Sequence, residues 1–282
     1  MLIDLHTHTT CSDGLLSVND LVKLAIKKKI KLLALTDHDT IAGIPLFLKL
    51  CRVAGIAAVP GIELSTDING MELHLVGYIK NINYPPLLKN LKDQQKKRCE
   101  RAKKVIKIFK KLKFIFDRKS IKTLLKQPNV GKPQIGRAIL KHKTNRQLLK
   151  KKYGFKGGLS KFINNFLDKP GQIGYIYKKR INSLKAIDLI KKSNGLIALA
   201  HPDIELTNHN LAKKIIPQLA RAGLWGMEMP HNFIENKKYL MPLARQYGLT
   251  VTYGSDTHDK KRLGIKIKNK EAIELIKKIK RI

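Results

Sequence analysis

The chain has 282 residues, 43% of them apolar, and its 57 Lys and Arg outnumber 21 Asp and Glu to give a formal net charge of +36 at pH 7. This length and apolar share suit one large globular domain or a domain with an insert. No apolar run is long enough to span a bilayer, so no membrane partner is expected.

The charge fits an anionic partner such as a nucleotide or RNA. It follows equally from AT-rich coding, because the cations are nearly all Lys, are spread along the chain, and accompany abundant Ile and Asn. Cys11, Cys51 and Cys99 have no paired or CxxC spacing, which favours reduced thiols. With charged and ligand-type residues appearing at once and no basic leader region, a cytoplasmic location is expected. Nothing in the sequence calls for an obligate protein partner.

Leu2 to Leu5 reads as a short buried strand ending in His6-x-His8. Residues two apart in an extended chain point to the same side, so both imidazoles face one point beyond the strand's end. Asp13 follows in a turn marked by Ser12 and Gly14. Ser17 to Asp20 offers N-cap residues for a helix carrying Leu21, Leu24 and Ala25. Leu32 to Leu35 is a second strand, ending in Thr36-Asp37-His38-Asp39. A helical stretch from Ile44 to Ala54 leads to a third strand, Ile56 to Glu63. Asn69-Gly70 marks a tight hairpin turn between the third strand and a fourth, Glu72 to Tyr78, which carries His74.

The rhythm then breaks. Lys89 to Lys113 reads as a long basic helix with an apolar face of Leu91, Ala102, Val105, Ile106, Phe109 and Leu112. Shorter helical pieces follow at Ser120 to Leu125 and Gln134 to Lys141, then a Gly-rich stretch, Gly154 to Gly158. Strands resume at Leu196 to Ala200, ending in His201, at Leu224 to Met229, followed by His231, and at Leu249 to Gly254, followed by Ser255-Asp256-Thr257-His258. The tail from Glu271 is an amphipathic helix. Seven strands alternating with helices argue for a parallel α/β sheet. Polar residues at most strand ends favour a closed, barrel-like arrangement over an open sheet with one switch point. The expected organisation is a barrel from 1–86 and 171–282 with a helical insert at 87–170.

Six of the nine histidines, His6, His8, His38, His74, His201 and His258, fall at or near expected strand ends, joined by Asp13, Glu63 and Asp256. Histidine and carboxylate without cysteine suit Mn²⁺, Fe²⁺ or Zn²⁺. Nine ligands exceed the needs of one ion, so two or three are implied, with a carboxylate such as Glu63 able to bridge. His6 and His8 are expected on one ion and Asp13 on a neighbour. Clustered divalent ions make hydroxide available near neutral pH and neutralise phosphoryl charge. With no GxSxG and no P-loop, metal-dependent hydrolysis by a metal-bound hydroxide is the reaction class these residues support.

Asp4-Leu5-His6-Thr7-His8, Ser12-Asp13-Gly14, Leu35 to Asp39, Pro60 to Glu63, Leu73 to Tyr78, Ala200-His201-Pro202 and Gly254 to His258 together resemble, in order, the motif set of the PHP (polymerase and histidinol phosphatase) superfamily. The resemblance implies a distorted seven-stranded (β/α)7 barrel with an inserted helical subdomain and a phosphoesterase site of two or three ions, Mn²⁺ foremost. It carries His6, His8, Asp13, His38, Glu63, His74, His201, Asp256 and His258 over as metal ligands, with Asp256, Glu63 and His201 at the catalytic centre. Within the superfamily the chain looks most like the nucleoside 3',5'-bisphosphate phosphatase group, whose members include a 5'-3' exoribonuclease on short RNA. The signs are the insert, its Gly131 to Ala138 segment, Phe166-Leu167 and Gly174-Tyr175-Ile176. That segment would hold phosphate through Arg137, Lys132 and Gln134. The last two depart from the group, where Arg and His are common, and Lys132 lacks the bidentate fork of Arg. His231 would touch substrate.

Two rival readings remain: a histidinol phosphate phosphatase, and a non-catalytic RNA-binding protein on a degenerate barrel. Asp37 or Asp39 is expected either to orient an imidazole or to cap a turn. Cys11, although among ligand residues, is expected to pack.

Overall fold

A computed structural model of the chain describes residues 1–127, 129–229 and 234–280. The chain falls into two compact units, Met1–Asn90 with Arg180–Ile282, and Leu91–Lys179.

In the first unit the short apolar runs become strands: β1 Leu2–Asp4, β2 Leu32–Leu35, β3 Ala57–Ile68, β4 Met71–Tyr78, β5 Ile181–Asn182, β6 Leu196–Leu199, β7 Gly226–Glu228, β8 Thr250–Thr252 and β9 Ile265–Lys266. They form one sheet in the order β8-β7-β6-β4-β3-β2-β1-β9, with β5 paired to β3. β1, β2 and β3 run parallel, as do β6, β7 and β8. The expectation of a parallel sheet fails at the centre: β4 is antiparallel to both β3 and β6. The cause is local. Asn69 and Gly70 have φ of 54° and 81°, the pair of left-handed residues that closes a two-residue hairpin. Ile68 therefore pairs with Met71, and β4 returns along β3.

β2 shows why these strands read as unbroken apolar runs. Leu33 and Leu35 pack with Val18, Leu21, Ile44 and Phe47 of the helices Val18–Lys27 and Ile44–Val53. Leu32 and Ala34 face the other way, into a cluster with Ile3, Val59, Val76 and, from the helix Asn269–Lys280, Leu275 and Ile279. A strand covered on both faces has no polar side to display. Ser17 caps the first of these helices by accepting from the Asp20 N–H, an interaction of about 1 kcal/mol.

β1 and β8 are far apart in the pairing order, yet their continuations meet. The Leu5 N–H donates to the Tyr253 carbonyl at 3.0 Å and the His8 N–H to the Thr257 carbonyl at 3.0 Å. Asp4, fully buried, ties this seam. Its carboxylate accepts from the N–H groups of His6 (3.2 Å), Ser255 (2.9 Å) and Gly264 (2.8 Å) and from the Ser255 hydroxyl (2.6 Å). The residues after β1 and those after β8 are thereby held side by side.

The second unit is helical, with the helices Arg118–Lys126, Lys132–Leu140, Lys143–Tyr153 and Leu159–Phe166 following the long helix Pro85–Lys111. Its core gathers Phe109, Phe114, Phe162 and Phe166 with Ile135, Ile139 and Leu149. On the long basic helix Arg98 and Arg101 are buried, as is Lys178, so this helix is not simply a solvated charged face. Among the described residues, no helix is long and apolar enough to cross a membrane.

Candidate metal centre

His6 and His8 lie just past β1, where the strand's twofold alternation aims both rings to one side. Their Nε2 atoms are 3.1 Å apart. His38 follows β2 and forms an isolated parallel bridge with Glu63 of β3, which puts its Nδ1 2.9 Å from Glu63 Oε2. His74 arrives differently from the strand-end pattern. It sits within antiparallel β4, paired with Ser65, and so shares a face with Glu63 two residues away. His201 and Asp256 take left-handed backbone conformations, φ of 24° and 51°, directly after the β6 and β8 regions. Such conformations cost about 1–3 kcal/mol each and concentrate at functional sites.

The nine expected ligands fall into three overlapping groups: His6, His8, Glu63 and Asp256; Glu63, His74 and His201; His8, Asp13, His38 and His258. Within each group one donor atom per residue lies within 4.8 Å of every other. Glu63 belongs to two groups and His8 to two. Glu63 Oε2 is 3.2 Å from both His6 Nε2 and His8 Nε2, and its Oε1 is 3.1 Å from His201 Nε2. Asp256 Oδ1 lies 3.1 Å from His8 Nε2 and 3.5 Å from His6 Nε2. Asp13 Oδ1 lies 3.3 Å from His258 Nε2. Donors about 2.1 Å from a shared divalent ion stand roughly 2.9–3.4 Å apart in octahedral or tetrahedral arrangements. Four of these five first-group spacings fall in that range and the fifth, His6 to Asp256, is 3.5 Å, and the donors are of the nitrogen and oxygen type such ions accept. The residues present therefore fit divalent metal ions.

Burial makes the charge balance acute. Burial alone would drive the His8 pKa down, but hydrogen bonds to Asp256 and Glu63 and their charges carry it up to about 10. The same contest, with Glu63 and Glu205 as the attracting groups, carries His201 to about 10. At His38 burial prevails and lowers the pKa despite Glu63 and Asp13. Glu63 is fully buried, which opposes ionisation, yet the imidazoles of His38, His6 and His74 hold its carboxyl well below the usual range. Without an ion, protons on His6, His8, His74 and His201, all raised by the facing carboxylates, balance those carboxylates.

Two carboxylates outside the expected set belong to the site. Glu228, in β7 and fully buried, accepts from the His201 N–H at 2.8 Å and lies 3.0 Å from His6 Nδ1. Glu205 accepts from the His74 N–H and lies beside the Nδ1 atoms of His74 and His201. The available signals were a lone acid within the apolar run Leu224 to Met229 and an acid four residues after His201. Asp37 accepts from the Thr9 N–H, the Thr9 hydroxyl and the Ser12 hydroxyl, and Asp39 from the Ser65 N–H. Cys11 packs near Leu35 and Gly43 with the helix-side core.

Lys132, Gln134 and Arg137 are on the helix Lys132–Leu140 of the second unit. Lys132 pairs with Asp168 at 2.5 Å. Gln134 Oε1 accepts from the Gly131 N–H at 2.9 Å and so caps its own helix. Arg137 is half-buried. His231 lies outside the described residues.

The chain aligns with the 5'-3' exoribonuclease Rnm of Escherichia coli, 28% identical over 92% of this chain and 85% of that protein. It also aligns with a 3',5'-nucleoside bisphosphate phosphatase of Chromobacterium violaceum, 25% identical over 91% of this chain and 87% of the other. A solved structure from Bifidobacterium adolescentis, named a metal-dependent phosphoesterase, shares the fold with a TM-score of 0.77 at 21% identity, covering 97% of this chain and 95% of its own. The family model for the PHP domain matches residues 4–209, a span that holds seven of the nine clustered residues and stops short of Asp256 and His258. On that match, the chain belongs to the PHP domain family.

Proposed function

We propose that this chain is a divalent-metal-dependent phosphoesterase that removes the 3'-phosphate from nucleoside 3',5'-bisphosphates. The observation that carries the reading is the set of three His/carboxylate groups joined through Glu63 and His8. Bound divalent ions, Mn²⁺ foremost, supply the positive charge that neutralises a phosphoryl group and lowers the pKa of water beside it. The chain's part is to hold the donors at the spacing described and to exclude bulk water from them. His6, His8 and Glu63 are fully buried, and Asp256 is the more open side of the first group, its side chain 25% exposed. Phosphoester entry from the Asp256 side fits that asymmetry.

The bisphosphate assignment draws on the Chromobacterium violaceum relative's name and on the expected role of Arg137. A second reading, trimming of short 5'-phosphorylated RNA from the 5' end, is favoured by the name of the Escherichia coli relative. Both substrates are polyanions, which suits the net charge of +36.

The test is phosphate release from adenosine 3',5'-bisphosphate and histidinol phosphate, and nucleotide release from a short 5'-phosphorylated RNA, in Mn²⁺. The bisphosphate should be turned over with the highest kcat/KM, and Asp256→Asn should lose at least about 100-fold, the scale for losing a preorganised charge at the reacting centre. No release from any bisphosphate overturns the substrate assignment. Full activity in Asp256→Asn overturns the site.

A further inference from the structure

Glu205 stands in the short helix Pro202–Glu205, one turn after His201. It is not among the three groups, yet its side chain is only 7% exposed. Both oxygens accept from the backbone N–H of His74, at 3.1 and 2.9 Å. One of them, Oε1, also lies 3.2 Å from His74 Nδ1 and 3.4 Å from His201 Nδ1. A single carboxylate oxygen thus stands against the rings of two residues of the Glu63–His74–His201 group.

The ring atoms define what this contact does. His201 presents Nε2 to Glu63 Oε1 at 3.1 Å, so its Nδ1 is the outer nitrogen, and that nitrogen faces Glu205. At 3.4 Å Glu205 acts on this buried nitrogen through its charge rather than a hydrogen bond, which favours the ring proton at Nδ1 once Nε2 gives up its own to an ion at the group's centre. His74 is held from both ends. Its Nδ1 lies between Glu63 Oε1, at 3.5 Å, and Glu205 Oε1, while its Nε2 is 3.6 Å from Glu72 Oε1. Glu72 in turn is fixed by a two-point pairing with Arg180. The His74 ring cannot turn without losing a carboxylate, and its main chain is pinned by Glu205 as well. The group also gains charge: one carboxylate among its own members, Glu63, is shared with a second group, and Glu205 adds a negative charge that is not.

We propose that Glu205 is a positioning residue dedicated to the Glu63–His74–His201 group, fixing the tautomer of His201 and the rotation of His74 so that this group retains its own divalent ion. The inference rests on the metal-dependent reading above and assigns one of its ions a dependence on Glu205 that the others lack.

The experiment counts ions rather than turnover. Wild type, Glu205→Gln, His201→Ala and the double variant are freed of metal, equilibrated with Mn²⁺ by dialysis and analysed for bound ion, and Co²⁺ titrations are followed by visible absorption. Glutamine keeps an acceptor for the His74 N–H but lacks the charge. The expected result is that Glu205→Gln weakens one class of site by about 10–100-fold, the usual effect of removing a carboxylate behind a ligating histidine. The remaining Co²⁺ bands should be unchanged. Adding Glu205→Gln to His201→Ala should cost no further ion, because both changes address the same one. Unchanged ion binding in Glu205→Gln overturns the proposal, and so does equal weakening of every class of site. Wild type that takes up no divalent ion overturns the phosphoesterase reading along with it, whereas normal uptake with an indifferent variant overturns this inference alone.

Discussion

Gly254 has no side chain because there is no room for one. It passes so close to β1 that a Cβ would overlap His6 Cβ and Glu228 Oε1. The close approach sets Glu228 against His6 Nδ1 and leaves Asp256, two residues on, beside His6 and His8. Gly254→Ala should therefore act on the site as well as on stability. Overpacking of this kind costs about 1–3 kcal/mol, and here the atoms that must give way are a ligand-type histidine and the acid that orients it. A lowered melting temperature together with loss of Mn²⁺ uptake is expected. A variant that melts lower but binds Mn²⁺ as wild type would show that the approach is mere packing. From sequence Gly254 is only the last residue of the strand Leu249 to Gly254, and only the segment packed against it reveals it as a contact.

At the level of elements, Asp4 does for two strands what Gly254 does for two residues. It accepts four hydrogen bonds, three of them from the segments Ser255 and Gly264 that follow β8. Burial pushes its carboxyl pKa up, against the hydrogen bonds from Ser255, Gly264 and His6. Asp4→Ala would leave buried donors unmatched and should destabilise the protein by about 3–5 kcal/mol. Urea unfolding measures this, and a loss below about 1 kcal/mol would mean the seam is held by other contacts. Seven of the nine strands were legible in sequence because each holds a short apolar run with a polar residue near its end, whereas the two-residue strands Ile181–Asn182 and Ile265–Lys266 carry no pattern to read. His6-x-His8 was legible because twofold alternation is a local rule. Strand direction was not, since the reversal at β4 depends on two left-handed residues, Asn69 and Gly70, whose turn was visible but whose consequence for a sheet of parallel neighbours was not. Glu205 and Glu228 were missed for a similar reason. An isolated acid in a strand or on a short helix has no spacing rule, and its partner lies 131 or 222 residues away in sequence. The helix Lys143–Tyr153 escaped notice because its run of lysines thins out the apolar stripe, and Leu159–Phe166 because its stripe of Leu159, Phe162, Ile163 and Phe166 lasts only eight residues.

For the molecule as a whole, the same buried donors must be balanced either by protons or by metal ions, and this links stability to pH. In the ion-free protein His8 and His201 are both raised to about 10. A histidine raised in this way stabilises the fold fully below its unfolded value of about 6.5, and the contribution fades as pH climbs toward the folded value. Divalent ions require the same rings deprotonated, so with ions in place that loss does not occur. An ion present at about 100 times its Kd adds roughly 2.7 kcal/mol. For a chain of this size that corresponds to a rise in melting temperature of roughly 5–10 °C. The difference between Mn²⁺-loaded and EDTA-treated protein should therefore exceed zero at about pH 6.5 and widen steadily toward about pH 9, with the EDTA-treated curve doing the falling. Melting curves at matched ionic strength measure it. If the two curves fall in parallel as pH rises, the imidazoles are not exchanging protons for ions, and the shared centre built on Glu63 and His8 is not where the metal binds.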